Sequence, residues 1–339
     1  MAVVLPNEVI SNVYEDLTTK DLYTCLYINK QWGQNAARLL WETVSLNPKK
    51  ANTLISLIDE AIECKGFELP QHNPSPMYPY PYFLTRFNAS DLHITLEKWL
   101  SHEEGVQKCT VPFDEWFRLR HTLADSLLNL YCKYNATVQE VMLSNNQNIF
   151  YTGHEYIISA MRTKFNPLFT RAQKLYVKVI TGTSIQSFYD GMREHCNSLT
   201  EIIIEEEWNN NKYDKWKDTI AGLIKSQLNL KKFTYTTQPY NEGRYIRKMS
   251  KILLKYAASL QSLTFKDIMF QHKKEYKNPL EYINQFHKLE YLEFNRCMYV
   301  KGQLASPFVR GMFPNLQKVE IIQCYDSQPI KEWAEEINM

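Results

Sequence analysis

From residue 136 onward, apolar positions return in one repeated figure. The stretches "ATVQEVMLSNN" (136–146), "TRAQKLYVKVI" (170–180), "NSLTEIIIEEE" (197–207), "LNLKKFTYTTQ" (228–238), "ASLQSLTFKDI" (258–268), "HKLEYLEFNRC" (287–297) and "PNLQKVEIIQC" (314–324) share it. Each sets an apolar residue, two variable ones, an apolar residue, one variable residue and an apolar residue. In the last five the figure opens at Leu199, Leu230, Leu260, Leu289 and Leu316, in steps of 31, 30, 29 and 27 residues. The closing alternation has the period of a short strand with one face buried. Helical spacing fills the intervals, as in Tyr213–Lys225 with Trp216, Ile220 and Leu223, and Tyr245–Tyr256 with Ile252 and Leu253. One strand and one helix per period predict an α/β class with stacked parallel strands. An unrelated α/β domain of βα units is the other reading of this pattern.

The first half is patterned differently. After Pro6, which suits a first helical turn, Val9, Ile10, Val13 and Leu17 fall on one helical face. In "TTKD", Thr18 is placed to cap a second helix, with Asp21 three residues on in a variant capping box. That helix carries Leu22, Cys25, Leu26 and Asn29, and Gly33 after Trp32 reads as its stop. A third helix runs through Ala36, Ala37, Leu39, Leu40 and Trp41. Three short helices with this much apolar surface exceed what they can bury in each other. The surplus docks on the rest of the chain or on a second protein. Residues 70–83, "PQHNPSPMYPYPYF", hold five prolines and read as an extended connector, laid on the fold by its aromatic residues or offered as a binding motif. Helices are expected at Leu54–Cys64, Leu92–Leu100 and Phe113–Lys133. "PIKEWAEEINM" reads as one short C-terminal helix, so the stack is expected to lack a proper cap or to be truncated.

Composition narrows the function classes. Of 339 residues 44% are hydrophobic, ample for a packed core, and the net charge of +2 offers none of the strong basicity that nucleic-acid binding requires. No signal peptide and no apolar run of membrane-spanning length appear, so a cytoplasmic or nuclear location is expected. The seven cysteines lack a CxxC pair and are expected as reduced thiols. The sequons at Asn88 and Asn135 are then chance matches.

The stretch "LPNEVISNVYEDLTTKDLYTCLYINKQWGQNAARLLWETV" resembles the F-box, the adaptor-binding module of cullin-based ubiquitin ligases, over roughly residues 4–46. The resemblance lies in the opening Leu5, Pro6 and Glu8, in "DLYTCLYINKQW" and in "ARLLW" at 37–41, and looks closest to the large fungal F-box families. Ile28 stands where that family often has Val. The period near 30 with a Leu-x-x-Leu-x-Leu core resembles leucine-rich repeats. Asn146, Cys297 and Cys324 fall where such repeats carry Asn or Cys. Together the resemblances imply an F-box at 1–46, a helical and proline-rich connecting region at 47–135 and a degenerate leucine-rich-repeat solenoid at 136–339.

They imply that the N-terminal helices bind the Skp adaptor, and through it the cullin/RING core, by way of Leu5, Pro6, Ile10, Leu17, Leu22, Leu26 and Trp32. A protein target would lie on the concave strand face, formed by Glu201, Ile203, Glu205, Lys232, Thr234, Thr236, Ser262, Thr264, Lys266, Tyr291, Glu293, Asn295, Lys318, Glu320 and Ile322. The mixture is polar with some aromatic and aliphatic residues, as recognition of a folded partner or peptide requires. Candidate chemistry is sparse. His195–Cys196 is the one tempting pair, but adjacent side chains point apart and a nucleophilic thiol needs a positioned base. Glu205, Glu206 and Glu207 read as a solvated strand end before a metal site, and Cys297 and Cys324 as packing residues. No metal-ligand spacing and no phosphate-binding glycine loop occurs, so no catalysis, metal or cofactor is expected. A non-ligase scaffold and a hydrolase using Cys196 are the rival functions.

Overall fold

The structure is a computed structural model. It describes residues 9, 12–14, 16–58, 76–102, 113–143, 155–162, 168–178, 183–206, 215–237, 244–270, 282–298, 313–325, 331, 334, 335, 337 and 338. The chain is α/β with parallel strands. It divides into two compact units, residues 1–142 with 146–169, and residues 143–145 with 170–339.

The first unit opens with helical residues 9 and 12–14, then α1 (Thr19–Cys25), α2 (Lys30–Trp41) and α3 (Pro48–Ile55). Thr18 caps α1 reciprocally. Its hydroxyl accepts from the Asp21 backbone N–H, and the Asp21 carboxylate accepts from the Thr18 N–H. Gly33 does not stop a helix. The break falls earlier, because the Asn29 side chain accepts from the Trp32 N–H at 3.0 Å and caps α2 afresh. Gly33 lies inside α2 because there is no space beside it. A Cβ there would overlap the Tyr78 hydroxyl and come within 2.8 Å of the Leu26 carbonyl oxygen.

Tyr78 belongs to the proline-rich connector, which lies against these helices. Its hydroxyl donates to the Leu26 carbonyl at 2.9 Å, and Tyr80 stacks on Trp41 with ring centroids 4.6 Å apart. The connector is not extended throughout. Tyr80–Phe83 forms a 3-10 turn that accepts Pro81 in its first turn, where a missing N–H costs nothing. Helix α3 begins at Pro48, capped by Asn47, rather than at Leu54. Residues 59–64 of the expected helix lie outside the described residues. Lys50 reaches back to the C-terminal end of α2, donating to the Leu40 carbonyl at 2.8 Å beside the Tyr23 and Trp41 rings. Its burial pushes the ammonium pKa down.

Beyond the connector come β1 (Arg86–Asn88), α4 (Ala89–His102), α5 (Phe113–Lys133), β2 (Glu140–Leu143) and α6 (Glu155–Arg162). The bounds of α5 are those its periodicity predicts. Strand β1 pairs in parallel with β2, Phe87 opposite Val141. Leu92, Leu96, Trp99, Leu123, Leu127 and Tyr131 are buried between these elements. Thr95, also buried, donates to the Val44 carbonyl and accepts from the Leu46 N–H, tying α4 to the segment before α3.

The second unit is a parallel ladder in sequence order: β3 (Lys174–Lys178), β4 (Glu201–Glu205), β5 (Lys232–Thr236), β6 (Ser262–Lys266), β7 (Tyr291–Asn295) and β8 (Lys318–Ile322). Each of the last five starts two residues after the leucine that opens its figure. α7 (Thr183–His195), α8 (Lys215–Ser226) and α9 (Arg244–Leu253) fill successive intervals, and α9 runs into a 3-10 turn at Leu254–Tyr256. Two columns of inward residues stack along the ladder, Leu175, Ile202, Phe233, Leu263, Leu292 and Val319 in one, and Val177, Ile204, Tyr235, Phe265 and Phe294 in the other, all at 2% exposure or less. Phe265 and Phe294 lie face to face, 5.9 Å between centroids.

Hydrogen bonds repeat with the units. Ser198, Ser259 and Asn315, each just before its figure's leucine, donate to carbonyls of the preceding unit at Ala172, Leu230 and His287. Gln227 is wholly buried and satisfied: its amide donates to Cys196 and Leu223 carbonyls, and its oxygen accepts from the Leu199 N–H. Asp267, Arg296 and Gln323, the residues that follow β6, β7 and β8, adopt left-handed φ of 57°, 51° and 51°. The chain bends there and turns Ile268, Cys297 and Cys324 toward the interior. At the outer edge of β8, the Asn338 side chain accepts from the Val319 N–H at 3.0 Å and donates to the Val319 carbonyl at 2.9 Å. The Asn338 side chain thus satisfies one residue of that edge.

Two stability outcomes follow. Phe294→Ala removes a fully buried ring from the end of the second column and should destabilise by ~3–5 kcal/mol in denaturant unfolding. Gly33→Ala should cost ~1–3 kcal/mol by overpacking against Tyr78. The cost should fall measurably in a Tyr78→Ala background, where only the Leu26 carbonyl remains close. Equal costs in both backgrounds would show that Tyr78 does not impose the glycine.

Candidate interaction surfaces

Strand alternation turns one side chain in two away from the stacked columns. On β4 these are Glu201, Ile203 and Glu205, all half-buried; on β5 Lys232 is exposed, with Thr234 and Thr236 half-buried. On β6, Ser262 and Lys266 are half-buried and Thr264 is 5% exposed; on β7, Tyr291 and Asn295 are half-buried and Glu293 is 8% exposed. On β8, Lys318 and Ile322 are exposed and Glu320 half-buried.

Their polar groups are linked. Glu293 accepts from the Tyr291 hydroxyl at 3.1 Å, Thr264 at 3.3 Å and the Asn295 amide at 3.1 Å, with the Lys266 ammonium 3.7 Å away. The Tyr291 hydroxyl also reaches Glu320 at 2.6 Å, and Lys318 bonds Glu320 at 2.5 Å. Burial, then the Glu320 carboxylate, drives the Tyr291 pKa well above that of an ordinary phenol. Lys318, followed by Tyr291, holds the Glu320 carboxyl below the usual range. At the start of the ladder Lys174 pairs with Glu201 at 3.4 Å, and Tyr176 donates to Glu205 at 2.6 Å. Between these two polar clusters Ile203 and Thr234 form an uncharged stretch.

The second surface lies on the N-terminal helices. Leu5, Pro6 and Ile10 fall outside the described residues. Leu17, Leu22 and Trp32 are half-buried, and Leu26 is buried at 7% exposure. Tyr14, not the Val9 and Val13 stripe, turns inward. Its ring meets Trp32 edge-on at 5.5 Å, its hydroxyl donates to the Trp32 carbonyl at 2.7 Å, and burial raises its pKa to about 12. Val9 is left 45% exposed, Val13 40%, Tyr27 75% and Ile28 55%. Tyr27 was not legible as a surface residue, because helical spacing continues across the α1–α2 break that Asn29 enforces.

The residues singled out for chemistry are held apart. Cys196 is 1% exposed, its sulfur lies 3.6 Å from the Ala172 carbonyl, and burial pushes the thiol pKa up, all unfavourable to a nucleophile. His195 ends α7 on the exposed side. Glu205 and Glu206 accept from Tyr176 and Tyr235 hydroxyls, and Glu207 lies outside the described residues. Cys297 is buried and Cys324 half-buried; Asn146 is outside the described residues. Among the described residues no group of three or more His, Cys, Asp or Glu could hold a metal ion, and no helix is long and apolar enough to cross a membrane. The sequence matches no protein-family model and no curated protein.

The Glu320 pKa gives a test of the polar cluster. A carboxyl whose pKa falls on folding adds stability above its unfolded value, ~4.3, and loses it as pH drops through the lower folded value. Glu320→Gln should therefore lower stability at neutral pH by under about 1 kcal/mol, as for exposed pairs, and the difference should close in acid. A difference that is the same at neutral and acid pH would exclude the ionised carboxylate as its source.

Proposed function

We propose that the chain is the substrate-recognition subunit of a Skp–cullin–F-box ubiquitin ligase. The N-terminal helices act as an F-box that binds the Skp adaptor, and the strand ladder acts as a degenerate leucine-rich-repeat solenoid that binds a protein target on its outward face. The polypeptide contributes positioning and no chemistry. It raises the effective concentration of a target lysine near charged ubiquitin carried by the cullin/RING core.

One observation carries this reading. Helices that already bury Tyr14, Cys25 and Leu26 still leave Val9, Val13, Tyr27 and Ile28 in solvent. An apolar surface of that kind on a small helical unit calls for a partner. The outward strand face supports the second half of the reading, since its mixture of aromatic, charged and amide groups suits protein recognition better than phosphate binding.

Co-expression with a Skp adaptor should give a complex that survives size-exclusion chromatography. Leu5→Asp combined with Pro6→Ala, and separately Ile28→Asp, should reduce it at least tenfold. Unchanged binding by both variants would dismiss the proposed contact. Adaptor binding without cullin association, or without loss of any target's ubiquitylation on deletion, would leave an interaction scaffold instead of a ligase subunit.

A further inference from the structure

The turns after β7 and β8 place two thiols at one position of successive units. Asn295 stands opposite Ile322 in the ladder. Each is followed by a left-handed residue, Arg296 or Gln323, and then by a cysteine. Pairing continues past the strands, since the Tyr325 N–H donates to the Cys297 carbonyl at 3.1 Å. Both sulfurs lean toward the preceding unit, so closing a bond between them requires the Cys297 side chain to rotate about χ1 toward Cys324. Cys297 Sγ lies 3.4 Å from the Phe265 carbonyl, and Cys324 Sγ lies 3.3 Å from the equivalent Phe294 carbonyl. The Cys297 N–H donates to Cys324 Sγ at 3.3 Å, so that sulfur sits directly against its neighbour's backbone. Equivalent residues on neighbouring strands stand ~4.8 Å apart, within the ~4.4–6.8 Å Cα separation a disulfide accepts. Cys297 is fully buried, whereas Cys324 is half-buried and open to small reagents.

We propose that Cys324 and Cys297 form a hydroperoxide-responsive dithiol whose oxidation staples β8 to β7. The Cys324 thiolate attacks the distal oxygen of the hydroperoxide and the O–O bond breaks. The alkoxide or hydroxide leaves and takes up a proton, and Cys324 becomes a sulfenic acid. The Cys297 sulfur then attacks the Cys324 sulfur, and the S–O bond breaks. The departing hydroxide takes the Cys297 proton and leaves as water. Two thiols are oxidised by two electrons in all, and one hydroperoxide is reduced to an alcohol and one water, or to two waters when it is hydrogen peroxide. A dithiol reductant reverses the change. Cys324 is the attacking member because it is the more exposed of the two; the contact between the thiols, and then burial, pushes the Cys297 pKa up, while the same contact pulls that of Cys324 down. The staple would fix the end of the ladder that carries Tyr291, Lys318 and Glu320.

The test treats the reduced full chain with hydrogen peroxide, blocks remaining thiols with N-ethylmaleimide and maps peptides by mass spectrometry. The expected product is a Cys297–Cys324 cross-linked peptide pair that disappears after dithiothreitol. Dimedone should label Cys324 in Cys297→Ser or Cys297→Ala, while Cys324→Ser should lose both cross-link and label at this site. The oxidised wild-type chain should also show a raised unfolding midpoint, lost in Cys324→Ser. The wild-type map alone decides the matter if a variant does not fold. Accumulation of Cys324 sulfinic acid without the cross-link, or recovery of both thiols unmodified after peroxide, would overturn the proposal.

Discussion

Bonding six parallel strands in strict sequence order forces each residue to stand ~4.8 Å from its counterpart in the next unit. Like therefore stacks on like, and every column must tolerate its own repetition. The inward columns do so with aliphatic and aromatic side chains, and the Phe265–Phe294 contact is the direct result. The outward columns face a harder problem, because repeated charge repels. The chain alternates sign along the first column, Lys174, Glu201 and Lys232. Where two carboxylates do fall side by side, at Glu293 and Glu320, the Tyr291 hydroxyl reaches both oxygens from the neighbouring column. Asp267 and Arg296 solve the same problem at the bend, through two 2.6 Å hydrogen bonds. The mixed character of the outward face is thus in part a condition of stacking, on which any recognition role is superimposed.

The first unit is organised by a different constraint. Its short helices lack enough mutual contact, and the chain returns aromatic residues from the proline-rich connector to complete them. Tyr78 takes the place a side chain at position 33 would need and satisfies the Leu26 carbonyl where α1 ends. Tyr80 covers Trp41, and Lys50 closes the end of α2. Val9, Val13, Tyr27 and Ile28 stay 40–75% exposed all the same.

The strands were legible because a period near 30 with two-residue alternation is redundant, each unit restating the last. The long helix α5 was legible for the same reason over 21 residues of its own periodicity. What stayed hidden depends on contacts distant in sequence or on unusual backbone. Gly33 looks like a stop until Tyr78, far along the chain, is seen to require it. The bends at Asp267, Arg296 and Gln323 carry no glycine to announce them, and three different residue types share one conformation. Gln227 reads as an ordinary polar residue at a helix end, yet it is buried because three backbone groups of adjacent units converge on it. At the outward face, alternation identifies which residues project. It says nothing of Tyr291 as a hub, since that role comes from carboxylates on two strands, Glu293 on its own and Glu320 on the next.

A stack built by repetition has the problem of ending, because the next unit's pairing groups are always on offer at its last strand. Asn338 answers with a side-chain amide, which has the donor and acceptor of a peptide bond but no chain attached to continue the pattern. One counterfeit peptide on Val319 makes the terminal strand a poor template for recruiting a foreign strand. Loss of that amide would return one donor and one acceptor of Val319 to the open side of the strand.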